Sequence, residues 1–178
     1  MHDITHQRLG ERLIAAEQSH HSEHGWGDEP TRLLLICASP AAPDMVTLFV
    51  GPWEWSVFIG APGMQAPGAT GDVEHDLGLL ADNPARLDIH LADHEFLAVG
   101  LLHEWAHPEA GELHDQRCLA AADRDGGLWH VIRHRGESGI PPQAHLMIDD
   151  QGCVLAPTLA KVARALSEAY PLRNGRQW

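Results

Sequence analysis

The five residues His103-Glu104-Trp105-Ala106-His107 spell H-E-x-x-H, a short pattern that supports zinc-dependent hydrolysis when it lies on a helix. There the two histidines sit one turn apart on one face and grip the metal, and the glutamate activates a metal-bound water. On a strand the same residues are arranged differently. His103, Trp105 and His107 share one face while Glu104 and Ala106 take the other, so the glutamate is separated from both imidazoles. The backbone path between Leu101 and Pro108 decides whether the chain has this chemistry.

A helix has support: Asp93 can cap it, Glu95 suits its first turn, and Pro108 marks its stop. Three observations favour a strand. Pro108 directly follows the second histidine and disfavours the α conformation there, which would leave that ligand on a fraying end. The third ligand is misplaced, because Gly111 and His114 each fall one position too late for the extended zinc-peptidase spacing H-x-x-G-x-x-H. With 14 histidines in 178 residues, an accidental H-E-x-x-H is expected about 0.07 times per chain. That is often enough that the five letters alone do not establish a zinc site. The run Phe96 to Leu102 is apolar on both faces, as in a central strand, and a strand is the expectation.

Other groupings have plainer readings beside their chemical ones. His20 and His24, with Glu17 and His21, lie near the end of a first helix and can hold a metal at i, i+4 spacing. The plain reading is a solvated polar face whose histidines suit a helix C-terminus. His130 and His134 on a strand would lie about 13 Å apart, too far for one ion. Arg133 and Arg135 share the opposite face and can clamp an anion, or keep an edge strand soluble. Trp53 and Trp55 flank Glu54 and would project from one side of a strand, as a stacking platform or as core packing. Cys118 with His103 and Glu104 sketches a thiol nucleophile. Against it, Ala120, Ala121 and Ala122 read as a packed strand, and no helix N-terminus lies nearby to activate a thiolate. Phosphate-binding and dinucleotide-binding glycine loops, a G-x-S-x-G elbow and zinc-finger spacing are all missing from the sequence.

These residues need elements to hold them. Residues 4–24 read as a helix with an apolar stripe of Ile4, Leu9, Leu13 and Ala16, with Arg8, Arg12 and Glu17 outside it and Gly25 as its C′ residue. Arg32 to Cys37 reads as a buried strand, Met45 to Val50 as a second, and Trp53 to Ile59 as a third. Residues 60–71 form a Gly- and Pro-rich loop. A short helix is expected over 72–82, stopped by Asn83-Pro84, and a short edge strand over 85–91. After the decisive stretch, Pro108 to Asp115 reads as a polar loop. Arg117 to Ala122 and Leu128 to Arg135 form a hairpin about Asp125-Gly126-Gly127, where glycine supplies positive φ cheaply. Ala144 to Ile148 is a further strand. A last helix covers 157–169, with Pro157 in its first turn, Leu159, Val162, Ala163 and Leu166 as its apolar stripe, and Pro171 as its stop. Short turns between adjacent strands imply an antiparallel sheet, covered by helices on one side: a single α+β domain over residues 1–178.

Composition narrows the partners. A formal charge of -13, from 25 acids and 12 bases, argues against nucleic acid or an anionic membrane, because phosphates would be repelled. Cys37, Cys118 and Cys153 are odd in number and widely spaced, so they are expected to be reduced thiols in a cytoplasmic protein, two of them buried. The N-terminal residues lack the basic and apolar regions of a signal peptide, and no stretch is long enough to span a membrane.

From Phe96 to Gly136 the chain shows an apolar strand ending near Trp105, a polar loop, a strand opened by Arg117, an Asp-rich glycine turn, and an aromatic-V-x-R-x-R strand from Trp129 to Arg135. This pattern resembles small α+β proteins of actinobacteria and their phages. The resemblance covers about a quarter of the chain and implies the fold but no activity, cofactor or site residue.

The leading reading is a cytoplasmic α+β domain without its own catalysis or cofactor. It would bind a protein or small ligand through its sheet, with Trp53, Trp55, Trp105, Trp129, Arg133 and Arg135 as contacts. Exposed strand edges are compatible with a homodimer. The alternative is a zinc hydrolase with His103 and His107 as ligands and Glu104 as general base. His114, or an acid such as Glu112 or Asp115, would be the third ligand.

Overall fold

The computed structural model describes residues 3–26, 32–38, 45–52, 73–87, 91, 94–109, 112–135, 142–147 and 155–171, with side chains except at 3–5, 45–52, 86, 104–115 and 147. In chain order these form α1 (Asp3–His24), β1 (Arg32–Ala38), β2 (Met45–Pro52), α2 (Val73–Asp82), a 3-10 turn (Pro84–Leu87), β3 (Glu95–Glu109), β4 (Glu112–Asp123), β5 (Leu128–His134), β6 (Gln143–Met147) and α3 (Ala156–Ala169). The strands make one six-stranded sheet in the order β2-β1-β3-β4-β5-β6. Every neighbouring pair is antiparallel. The fold is therefore the α+β domain with an antiparallel sheet that the alternation of elements implies.

The expected covering on one side is corrected. Helices lie on both faces of the sheet. Leu9, Leu13 and Ala16 of α1 pack with Leu34, Ile36, Ala38, Leu102, Leu119, Ala121 and Val131. On the opposite face, Leu77 and Leu80 of α2 and Leu159, Val162, Ala163 and Leu166 of α3 pack with Leu33, Leu35, Cys37, Val99, Leu101 and Ala120. The reason is visible in β1, where all six residues from Leu33 to Ala38 are buried. A strand apolar on both sides leaves oil against water unless both sides are covered.

A bulge sets the register at the start of β3. Ile36 pairs with Ala98 but Cys37 pairs with Phe96, so Leu97 is the extra residue. The extra residue returns Phe96 to the α3-side core, with Val99 and Leu101. The β4–β5 turn is fastened over this bulge. Arg124 donates its backbone N–H to the Leu97 carbonyl (2.8 Å) and its Nη1 to the Phe96 carbonyl (2.9 Å). Within the turn Gly126 has φ +91°, the positive value that glycine adopts without strain. Gly25 ends α1 in the same way, with φ +66° and its N–H bonded to the His21 carbonyl at 2.8 Å.

Two further expectations change. Residues 85–87, expected to open an edge strand over 85–91, belong to the 3-10 turn Pro84–Leu87, and 88–90 lie outside the described residues. Proline suits a first helical position, and Leu87 and Leu91, four apart, are buried against the α3-side core. Residues 108–109 and 112–115, expected as a loop, continue β3 and β4, with Pro108↔Leu113 and Glu109↔Glu112 paired in register. Only Ala110 and Gly111 separate the two strands. The expected third strand at Trp53 to Ile59, the loop at 60–71 and Cys153 lie outside the described residues.

Candidate functional site

β3 runs unbroken from Glu95 to Glu109, so the H-E-x-x-H is extended. His103 stands opposite Cys118, Glu104 opposite Arg117, and His107 opposite His114. Residues four apart on one strand are separated by about 13 Å, beyond the span of two ligands on one ion. Glu104 lies on the face opposite to both histidines. The helical zinc-hydrolase geometry is absent because the backbone has the wrong period. Among the residues with described side chains, no three His, Cys, Asp or Glu converge to hold a metal ion.

β3 and β4 outrun their neighbours. β1 pairs with β3 as far as Leu102, and β5 pairs with β4 as far as Gln116. The rungs from Ala106↔Asp115 to Glu109↔Glu112 therefore form a two-stranded arm with no strand on either side among the described residues. Four rungs correspond to about 14 Å of ribbon.

At the base of this arm, on the α1 face, charge is concentrated. Glu17 is fully buried. Arg133 donates to both of its oxygens, from Nε and Nη2, each at 2.7 Å. Arg117, also fully buried, places Nη1 at 3.6 Å from Glu17 Oε1 and 2.9 Å from His21 Nδ1. A guanidinium can only donate, so His21 Nδ1 offers its lone pair. Arg117 Nη2 donates to the Gly25 carbonyl. The Arg117 and Arg135 guanidinium groups lie 5.0 and 5.9 Å from the Trp26 ring centroid, within cation–π range. The anion that Arg133 clamps is thus an internal carboxylate. The solvated polar face expected for the end of α1 is corrected in part: Glu17 and His20 are buried there, Glu17 against Arg117 of β4 and Arg133 of β5, while His24 is exposed.

On the α3 face, Cys118 and three histidines form a row across the strands. His103 is the Cα partner of Cys118 and His145 that of His130, while His130 Nε2 lies 2.8 Å from Cys118 Sγ. Burial, and then the neighbouring His145, hold His130 below the ordinary imidazole value. Burial, and then His130, do the same for His103. The types suit nucleophilic chemistry, but Cys118 is 1% exposed and belongs to the α3-side core, where a substrate cannot reach. The hairpin's turn already fixes this Cys118–His130 proximity, so counting residues outward from Asp123 would have revealed it.

The remaining contacts named from the sequence are dispersed. Trp129 is a core residue, 5% exposed, with its indole N–H donated to Asp123 Oδ2 at 3.0 Å. Trp105 stands opposite Gln116 at the foot of the arm. Arg135 is exposed beside Trp26, and Trp53 and Trp55 lie outside the described residues. No described helix is long and apolar enough to cross a membrane. Comparisons with family models, with curated proteins and with solved structures return no match.

Proposed function

We propose that this chain is a non-catalytic cytoplasmic binding domain that engages a protein partner through the β3–β4 arm. The observation that carries the reading is the run of four rungs beyond the last strand neighbours on both sides. Ribbon edges offer unpaired N–H and C=O groups to an added strand. An isolated two-stranded ribbon is marginal in water, so a partner strand or surface would steady it. Helices pack on both faces of the sheet, and the arm extends past the last rung of either neighbouring strand. Cys37 and Cys118, both buried thiols, fit a reducing compartment. The zinc-hydrolase alternative, with Glu104 as base, is not carried forward because β3 is extended there.

The test is site-specific photo-crosslinking in the source cells. A photoreactive residue at position 113, on the arm, should yield a discrete crosslinked species, and mass spectrometry then shows whether it is a second copy or another protein. Position 164, exposed on α3, serves as control. An identical crosslinking pattern from both positions, or none from position 113, would remove the reading.

A further inference from the structure

On β3 the residues His103, Trp105, His107 and Glu109 share one face, and their register partners on β4 are Cys118, Gln116, His114 and Glu112. The two outermost of these rungs therefore place two histidines and two glutamates on one face of the arm. Directly opposed residues in an antiparallel pair have Cα atoms about 4.5–5.5 Å apart, and the next same-face rung lies about 7 Å along the ribbon. A histidine on each strand at opposed positions is a spacing that lets two imidazoles share one ion, with carboxylates from the next rung completing four donors.

Charge points the same way. Glu109 and Glu112 are directly opposed like charges, an arrangement that destabilises a hairpin. No lysine or arginine occurs from Glu104 to Gln116 to offset them. A divalent cation would convert this repulsion into cross-strand attraction.

We propose that His107, His114, Glu109 and Glu112 form a binding site for a zinc-class divalent cation that clasps the tip of the arm. Imidazole and carboxylate together select borderline first-row ions, with zinc the expected occupant. This site is distinct from the H-E-x-x-H reading. It omits Glu104 and His103, rests on two cross-strand pairs, and involves no hydrolysis. It stands whether or not the arm docks a partner.

The experiment is calorimetric titration of Zn2+ into the full chain, purified without a tag and stripped of metal. The expected result is one strong site per chain, with H107A and H114A each weakening it at least about tenfold. The double variant E109Q/E112Q should weaken it too, while H103A and the double variant H20A/H24A leave it unchanged. Affinity should fall on acidification as the imidazoles protonate. Circular dichroism of each variant should match that of the parent chain, which separates a lost ligand from a lost fold. The proposal is overturned if the wild-type chain binds no Zn2+, if H107A and H114A bind as tightly as it does, or if H103A abolishes binding. Crosslinking from position 113 is read separately, so the two readings can fail independently.

Discussion

Arg133 and Glu17 are 116 positions apart in the chain and meet through two parallel hydrogen bonds of 2.7 Å. The pair pins the last turns of α1 to β5, and Arg117 extends it to β4. Replacing Glu17 by Ala leaves the buried Arg117 without its carboxylate neighbour and takes both acceptors from Arg133. We expect Glu17→Ala to cost about 3–5 kcal/mol, with Glu17→Gln milder because it retains one acceptor. Urea unfolding measures this, and a loss below about 1 kcal/mol would mean the cluster is solvated in solution.

Asp123 organises the β4–β5 turn. Its Oδ1 accepts the N–H groups of Asp125 (2.9 Å) and Gly127 (2.8 Å), and its Oδ2 accepts the Trp129 indole. Asp123→Ala orphans a buried indole N–H and frees the turn, so we expect a loss of about 3 kcal/mol. Hydrogen exchange should show the Gly127 amide losing protection first. Unchanged protection there would contradict this role.

Gly100 lies in β3 with little room for a side chain. A Cβ there would meet Ala121 Cβ and Leu34 Cδ1 at 3.1 Å and the Ala120 carbonyl at 3.2 Å. We expect Gly100→Ala to destabilise by about 1–3 kcal/mol through overpacking, and Gly100→Val to do so more severely. Thermal unfolding is the measurement, and a Gly100→Ala variant as stable as the parent would show that the α1-side core yields.

His103 and His130 are both held below the ordinary imidazole value of 6.5 by burial first and by a histidine neighbour second. Around and below that value the unfolded chain takes up protons that the native state refuses. Their contribution to stability is therefore complete above 6.5 and is lost as pH falls from there toward the folded values. Unfolding free energy measured from about pH 8 to about pH 5 should decline for the parent and decline less steeply in His130→Gln. Parallel curves would dismiss the effect.

Burial pushes the Cys37 thiol up to about 12, so it carries almost no thiolate at neutral pH. In the native protein Cys37 should resist alkylation, and its labelling rate should follow global unfolding. Labelling at the rate of a free peptide thiol would place it outside the core.

Much of the architecture was legible because its signals are local. Gly25 closing α1, Pro157 opening α3 and the glycine turn at 126–127 each act through a few neighbouring residues. Strand rather than helix at 103–107 was legible for the same reason, from Pro108 and the doubly apolar run before it. The edge strand expected from residue 85 gives way to a 3-10 turn at 84–87 because Leu87 and Leu91 find a core on the α3 side, which no local signal announces. Glu17 was placed in solvent because nothing within α1 announces Arg133.

Local residue order alone marks the three helices, the antiparallel pairing of neighbouring strands and the alternation of residues 103–107 between faces, but not the 3-10 turn at 84–87 or the length of β3 and β4. That helices cover both sides, that Glu17, Arg117 and Arg133 meet, and that His107 stands opposite His114 emerges only once the elements pack. Periodicity is written in adjacent residues. The partner of a charge or of a rung is set by how distant segments pack, and that depends on the whole core at once.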